Sequence, residues 1–400
     1  MAKEKSKNKN KTNSSESTSN SKWFPFLLFL LAFFIYSNTL QHQYAQDDDI
    51  YTRKNVFIQK GISSFPDLVK QGSLVGFDGT NVSDYRPLVL VNFAIEKSLF
   101  GNNPRANHFF NVLFYCLACC ALYFLIRKLL TDFPPFVPFI IVLLFTLHPL
   151  HTEVVANIKN RDELLCFLFG ILSLSALLNY AISTKLTSLI WSSVAFALCL
   201  FCKENGFTFL GIIPLILYFF TKLNLKRIAL ISLPFVVIAA LNLALRSLVL
   251  DSLFLTKSLV LMDNSLIAAQ TFSDQLATNF TMLLKAFSLL FIPMNLSYDY
   301  SYNQFPIVSW SSAEALVSLV IHLILLGIAI KGWKQKSIFS FAILFYFISY
   351  SITSNLVFKI GSSFAERFLF SPSLAVCIAL PFLIALLLKL NLKTATLSKA

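Results

Sequence analysis

The chain reads as an all-α, polytopic membrane bundle of about ten spans. Three observations predict this. Of its 400 residues, 56% are hydrophobic and only 13% charged, with a mean hydropathy of +0.68, which is beyond the range of a soluble domain. Apolar runs recur along the chain, and Lys or Arg marks alternate ends of them, as topology signals do. Two long segments, 41–106 and 251–310, interrupt the rhythm with amphipathic stretches suited to a membrane interface. The formal net charge of +13 therefore reads as orientation, not as a nucleic-acid surface.

In chain order, residues 1–22 are Lys, Asn and Ser with almost no apolar content, a disordered cytoplasmic tail. Trp23 to Leu40 is long for a signal peptide and lacks a small-residue cleavage site, so it is expected to remain as an anchor. The external segment 41–106 follows, with Leu88 to Phe100 as an interfacial helix ended by Gly101 and Pro104. The apolar runs 109–126, 136–147, 164–182, 186–202, 207–220 and 228–250 then alternate in direction. In the second external segment, Leu276, Phe280, Leu283, Phe287 and Leu290 repeat at helical spacing, predicting a surface-lying helix. Runs 313–330, 337–354 and 372–390 complete the bundle, with a cytoplasmic tail over 391–400. The seven cysteines lie in or at the ends of apolar runs, and Cys199-Leu-Phe-Cys202 reads as packing, not redox chemistry.

This topology gathers the polar clusters on one face. They are Asp47-Asp48-Asp49, Tyr85-Arg86, His148, His151 with Glu153, Arg161-Asp162-Glu163, Lys203-Glu204, Asp299 and Glu366-Arg367. Three adjacent carboxylates repel one another, so they suit a place where a cation or a transferring proton uses them. The plain alternative is a solvated acidic loop. His148-x-x-His151 lacks the i, i+4 spacing of a helical zinc site. Arg161 beside Asp162-Glu163, Lys203-Glu204 and Glu366-Arg367 also read as ion pairs at helix ends. Arg and Lys at a membrane edge can equally hold a lipid phosphate. His322, alone in mid-span, reads as a packed histidine. Acids and cations together at a lipid–water boundary fit transfer of a sugar from a polyprenyl phosphate to a hydroxyl. One carboxylate takes the acceptor proton and cations neutralise the leaving phosphate.

The order of these motifs resembles one family. It is carried by the acidic pair after the first span, Tyr85-Arg86-Pro87-Leu88, and Phe100-Gly101 with Pro104, His108 and Asn111. It continues through His148-Pro149 with His151-Thr152-Glu153, Arg161, Cys202-Lys203-Glu204 with Gly206, Asn295-Leu296-Ser297 with Asp299-Tyr300, and Glu366-Arg367 with Pro372-Ser373. The family is the transmembrane, TPR-repeat O-mannosyltransferases and their bacterial relatives, of the GT-C glycosyltransferase fold, and the resemblance runs from about Trp23 to Leu390. It implies a polyprenyl-phosphate sugar donor and a protein or glycan hydroxyl acceptor, usually Ser or Thr, with inversion. The acidic pair falls on Asp47 and Asp48 as catalytic residues, and Asp49 is an additional acid. Donor phosphate binding falls to Arg86, Arg161, Lys203 and Arg367. Tyr85, His108, His148, His151, Glu153, Glu204, Asp299 and Glu366 are supporting residues. A divalent cation at Asp47 and Asp48 is the alternative use of the acids. The implied location is a bacterial inner membrane or the endoplasmic reticulum, with the site on the outer or lumenal face. The family continues past this point with another span and often a TPR array, and the residue before its acidic pair is commonly aromatic where this chain has Gln46. Competing readings are a polyprenyl-linked lipid flippase, against which mid-span charges are scarce, and a non-catalytic membrane scaffold.

The alternation of Lys and Arg predicts opposite sides for the first external segment and the C-terminal tail. Cysteines introduced at Ser63 and Ser398 should react with an impermeant maleimide from opposite sides of the membrane. Labelling of both from one side contradicts this topology.

Overall fold

The computed structural model describes residues 21–81, 84–251 and 260–393. Residues 1–20 of the tail expected over 1–22, Val82 and Ser83, residues 252–259 and residues 394–400 lie outside the described residues. The described residues are helical, without strands.

The apolar runs become helices whose ends follow local chemistry. The helices are α1 (Phe24–Tyr36), α2 (Pro87–Phe100), α3 (Pro104–Leu129), α4 (Phe136–Thr146), α5 (Arg161–Ser183) and α6 (Leu186–Cys202). They continue as α7 (Phe209–Phe220), α8 (Leu225–Val249), α9 (Phe272–Phe291), α10 (Ala313–Trp333), α11 (Ile338–Tyr350) and α12 (Phe370–Leu387). At the start of α3, the Asn103 side chain accepts the Arg105 and Ala106 amides, Pro104 fills the first turn, and Arg127 and Lys128 occupy the last. That is a capped N-terminus and a cationic C-terminus, each favoured by the helix dipole.

Among the described residues, six helical stretches are long and apolar enough to cross a membrane, or seven if a bent pair counts as one span. About ten were expected. The difference lies in three shorter apolar helices, Leu186–Cys202, Glu204–Phe220 and Ile338–Tyr350, and in the pair Phe136–Thr146 and Pro149–Ala156, bent by 54°. At 1.5 Å per residue a straight crossing needs roughly 20 residues. These helices stop earlier because the chain turns into a polar cluster. At the bend His148 is extended (φ −70°, ψ 121°), as a residue before proline prefers. The turn carries His151 and Glu153 into the bundle.

Helices α1, α3, α5, α6 and α8 pack in succession, and α4, α12, α11 and α7 follow, with α4 also against α3. Helix α9 lies on α10, which packs on α11. Phenylalanine supplies much of the joinery. Phe145, Phe167 and Phe370, from α4, α5 and α12, are fully buried and meet with centroids 5.2–5.5 Å apart. Such pairs add about 0.5–1.5 kcal/mol each beyond their buried area.

Two sequence expectations need correcting. Helix α9 does form, and Leu283 and Leu290 of the expected stripe are buried with Ala277, Thr278, Thr281, Met282, Ala286 and Leu289, while Leu276, Phe280 and Phe287 are only half-buried. Small residues such as Ala277 and Ala286 let neighbouring helices approach closely, so the buried face is shifted from the stripe centred on Phe280 and Phe287. The ion pairs expected between neighbours in sequence do not form either. Arg161 binds Glu96 of α2, Lys203 binds Asp162 and Glu163, and Arg367 binds Glu153. A helix end presents adjacent side chains in different directions, so each finds a partner on another element.

Arg161 is fully buried and fills a cage. Its guanidinium donates to Asn111 Oδ1 (2.7 Å), Asn92 Oδ1 (2.7 Å), the Asn107 carbonyl (2.8 Å) and the Glu96 carboxylate. Removing one member of a buried pair strands the other charge, which costs about 3–5 kcal/mol. Arg161→Met should therefore cause a large fall in thermal stability in detergent, and Glu96→Gln, which keeps a hydrogen-bonding group, a smaller one. Equal melting temperatures for Arg161→Met and the parent chain contradict this.

Candidate active site

The acidic stretch forms one 3₁₀ turn, Gln46–Tyr51. Gln46 enters it in the left-handed region (φ 49°), uncommon for a residue with a side chain. The three carboxylates then part. Asp49 turns to Arg53 (Nε–Oδ1 2.7 Å) and Lys54 (3.7 Å), and the bond from Arg53 holds its carboxyl below the usual aspartate range. The Asp47 side chain is 57% exposed, 3.8 Å from Lys159 Nζ. Asp48 alone is buried. Its Oδ2 accepts the Ala45 amide (3.0 Å) and its Oδ1 the Lys159 amide (2.9 Å). Burial raises its carboxyl above the ordinary value, opposed by these backbone bonds and helped slightly by Asp47. A carboxylate has about four acceptor sites, so Asp48 keeps capacity for a ligand proton.

Asp48 lines an open cavity of about 590 Å³ together with His42, Tyr44, His108, Glu153, Asn157 and Glu366. Its size is within the range of ligand sites. The two other acids in its wall are already engaged. Glu153 Oε1 accepts Arg367 Nη1 (2.5 Å) and its Oε2 the Arg367 amide (2.7 Å). Glu366 Oε1 accepts the Ser297 amide (2.6 Å) and the Tyr300 hydroxyl (2.8 Å). The pair expected between Glu366 and Arg367 is thus replaced by two longer-range contacts.

The four expected phosphate-binding cations differ in reach. Side-chain exposure is 23% for Arg367, 9% for Arg86, 8% for Lys203 and none for Arg161. Arg86 binds Asp162 (2.6 Å), Glu204 (2.9 Å) and Asp84 (3.1 Å). Lys203 lies 2.9 Å from Glu163 and 3.1 Å from Asp162, and Gly206 lets its loop close, since a Cβ there would stand 3.1 Å from Cys199 Sγ. Arg86, Arg161 and Lys203 therefore brace the helix ends, while Arg367 borders the cavity through Glu153.

Other expected residues are structural in this arrangement. The Tyr85 hydroxyl donates to the Val69 carbonyl (2.7 Å). His151 is fully buried, with Nδ1 2.8 Å from the Tyr115 hydroxyl and Nε2 2.9 Å from Ser373 Oγ. His148 Nε2 meets the Leu290 carbonyl at 3.1 Å. Asp299 is exposed and accepts the Ser301 hydroxyl, whereas Tyr300 beside it reaches Glu366. His322 meets the Ser318 carbonyl (2.8 Å) and Tyr346 (3.2 Å), as a packed histidine should. Among the described residues, no group of three or more His, Cys, Asp or Glu side chains is placed to hold a metal ion.

Several contributors were not singled out from sequence: Asp84, Asn92, Glu96, Asn107, Lys159 and Arg246. Arg246 of α8 binds Glu204 (2.5 Å). A signal existed for most of them. Asn92 and Glu96, Asn107 and Asn111, and Asn242 and Arg246 are polar pairs four residues apart on otherwise apolar helices, hence on one helix face.

The site and fold define a helical membrane protein that gathers polar helix ends around a buried carboxylate. In sequence the chain is similar to protein O-mannosyl-transferases, among them members of the TMTC group. It is 28% identical over 305 residues to Protein O-mannosyl-transferase F38B6.6 of Caenorhabditis elegans, covering 74% of this chain and 41% of that protein. It is 28% identical to TMTC3 of Homo sapiens over 341 residues (76% and 36%) and 27% identical to human TMTC2 over 343 residues (77% and 39%). The chain thus spans about four-tenths of the length of the curated relatives it matches. No family model and no solved structure matches it.

The state of Asp48 has a consequence for stability. Its folded pKa lies above the unfolded value, so the folded protein binds this proton more tightly. Its contribution to stability is present below the ordinary aspartate pKa and is lost as pH rises through the raised folded value. Stability of the parent relative to Asp48→Asn should therefore increase as pH is lowered across that window. A difference that stays constant with pH contradicts the burial of an ionisable Asp48.

Proposed function

We propose that the chain transfers mannose from a polyprenyl-phosphate donor to a Ser or Thr hydroxyl of a protein, at the outer or lumenal end of the helical membrane bundle. The observation that carries the reading is Asp48, a buried carboxylate with spare acceptor capacity in a cavity whose wall residue Glu153 is paired with Arg367. The activity for which the relatives are named, O-mannosyl transfer, supports the same chemistry. Asp48 takes the proton as the acceptor oxygen attacks the anomeric carbon. The bond from that carbon to the phosphate oxygen breaks, and the phosphate leaves with the electron pair as a polyprenyl monophosphate. A single displacement inverts the anomeric centre. Arg367 meets the growing phosphate charge, because it is the most exposed of the expected cations. Lys159 stands second, with its Nζ 3.8 Å from Asp47 and its own amide on Asp48. Asp47 orients this lysine and Asp49 stays with Arg53.

Loss of a well-placed base lowers rates by about 10²–10⁴. Purified protein should transfer labelled mannose from polyprenyl-phosphate mannose to Ser/Thr peptides, with Asp48→Asn losing kcat by that order and Asp49→Asn nearly unaffected. Activity should fall as pH drops through the raised Asp48 pKa. Arg367→Ala should raise the donor KM, and Arg367→Lys should recover only part of it, since lysine lacks the planar fork. Full turnover by Asp48→Asn rejects the base. Loss of parent activity on chelation, restored by a divalent cation, favours a metal role for Asp47 and Asp48 instead.

A further inference from the structure

His108 is one of a few buried side chains left with unpaired polar atoms among the described residues, and it sits in the wall of the Asp48 cavity. It lies in the first turns of α3 and is 1% exposed. Among the described residues neither ring nitrogen has a hydrogen-bond partner of ordinary geometry, and the Gln43 backbone is a weak contact of the ring. Its neighbours on the helix are fully used: Asn107 binds Glu96 and receives Tyr44, and Asn111 binds Arg161 and the Asn157 carbonyl. Asn157 Oδ1, in the same cavity wall, is also buried without a partner. An unpaired buried polar group costs about 1–3 kcal/mol. Two of them in one cavity wall describe a site whose partners come from a ligand.

The chemistry of those atoms selects the ligand class. An imidazole offers one donor and one acceptor, and Asn157 offers a further acceptor. Unlike Glu153 and Glu366, these groups are neither acids nor committed elsewhere. A neutral ligand carrying several hydroxyls, each both donor and acceptor, matches this set. We propose that His108, with Asn157, binds the hydroxyls of the donor's hexose in the Asp48 cavity and sets which hexose is accepted. This rests on the reading of the protein as a hexosyltransferase. A site built to pair a hydroxyl discriminates by leaving its own buried groups stranded when that hydroxyl points elsewhere. Epimers are therefore the proper probe.

The test compares the parent, His108→Phe and Asn157→Ala for binding and turnover of polyprenyl-phosphate mannose and polyprenyl-phosphate glucose, with melting temperature measured alongside. Phenylalanine keeps the ring and its edge-to-face contact with His42, whose centroid lies 5.9 Å away, but removes both orphaned nitrogens. His108→Phe should melt at the same or a higher temperature, because a functional group that is unsatisfied without ligand is traded for an apolar one. It should also lose mannose-over-glucose discrimination by on the order of 10-fold, mainly in KM, with Asn157→Ala showing a weaker loss in the same direction. A merely packed histidine predicts unchanged discrimination. Discrimination equal to the parent in both variants overturns the role of His108 while leaving the transferase reading intact. A parent chain that binds neither donor overturns both.

Discussion

Three consecutive residues, Arg161, Asp162 and Glu163, carry buried charge at the N-terminus of α5, and the surrounding architecture answers to them. Ions out of water need partners of good geometry or they destabilise the fold by several kcal/mol each. Side chains at successive helix positions diverge by about 100°, so the three reach different sets of partners, with Lys203 alone shared by the two acids. Arg161 therefore draws in α2 and α3, Asp162 draws Arg86 and Lys203, and Glu163 draws Lys203 and Asn205. Glu204 then ties Arg86 to Arg246 of α8. The ends of α2, α3, α5, α6 and α8 are fixed together as a result. The acids also suit the positive end of the α5 dipole, while Arg161 opposes it and depends more heavily on its cage.

The candidate base hangs from the same network. Lys159, two residues before Arg161, donates its amide to Asp48, and Tyr44, four residues before Asp48, donates its hydroxyl to Asn107 beside the Arg161 cage. A carboxylate placed by backbone amides and braced by a rigid charge cluster is preorganised, which is the condition for effective proton abstraction. The cavity wall supplies the converse. Asp48 is held partly against its ionisation and His108 is left without partners, so stability is given up where a ligand is expected to restore it.

Much of the bundle was legible in the sequence because hydropathy and charge report it directly. The apolar runs became helices, and the motif order pointed to the family that the sequence comparisons support. The acidic turn was also visible, since three adjacent aspartates after an apolar run are difficult to explain as packing. What was not legible was which aspartate turns inward, because Asp47, Asp48 and Asp49 differ only in backbone direction within a single 3₁₀ turn. The ion-pair partners were misread for a related reason. Adjacency along the chain suggested Glu366 with Arg367, while the fold brings Glu153 across from a helix bent at Pro149. Span number suffered where helices stop short at polar clusters, and the buried face of α9 took in small residues beside only part of the expected apolar stripe.

The most direct measurement is a cryo-electron microscopy structure of the protein with polyprenyl-phosphate mannose bound. The account predicts the hexose in the Asp48 cavity, hydroxyls on His108 and Asn157, and the phosphate beside Arg367 and Lys159. A donor whose hexose lies outside that cavity, with Asp48 and His108 contacting only protein, contradicts it.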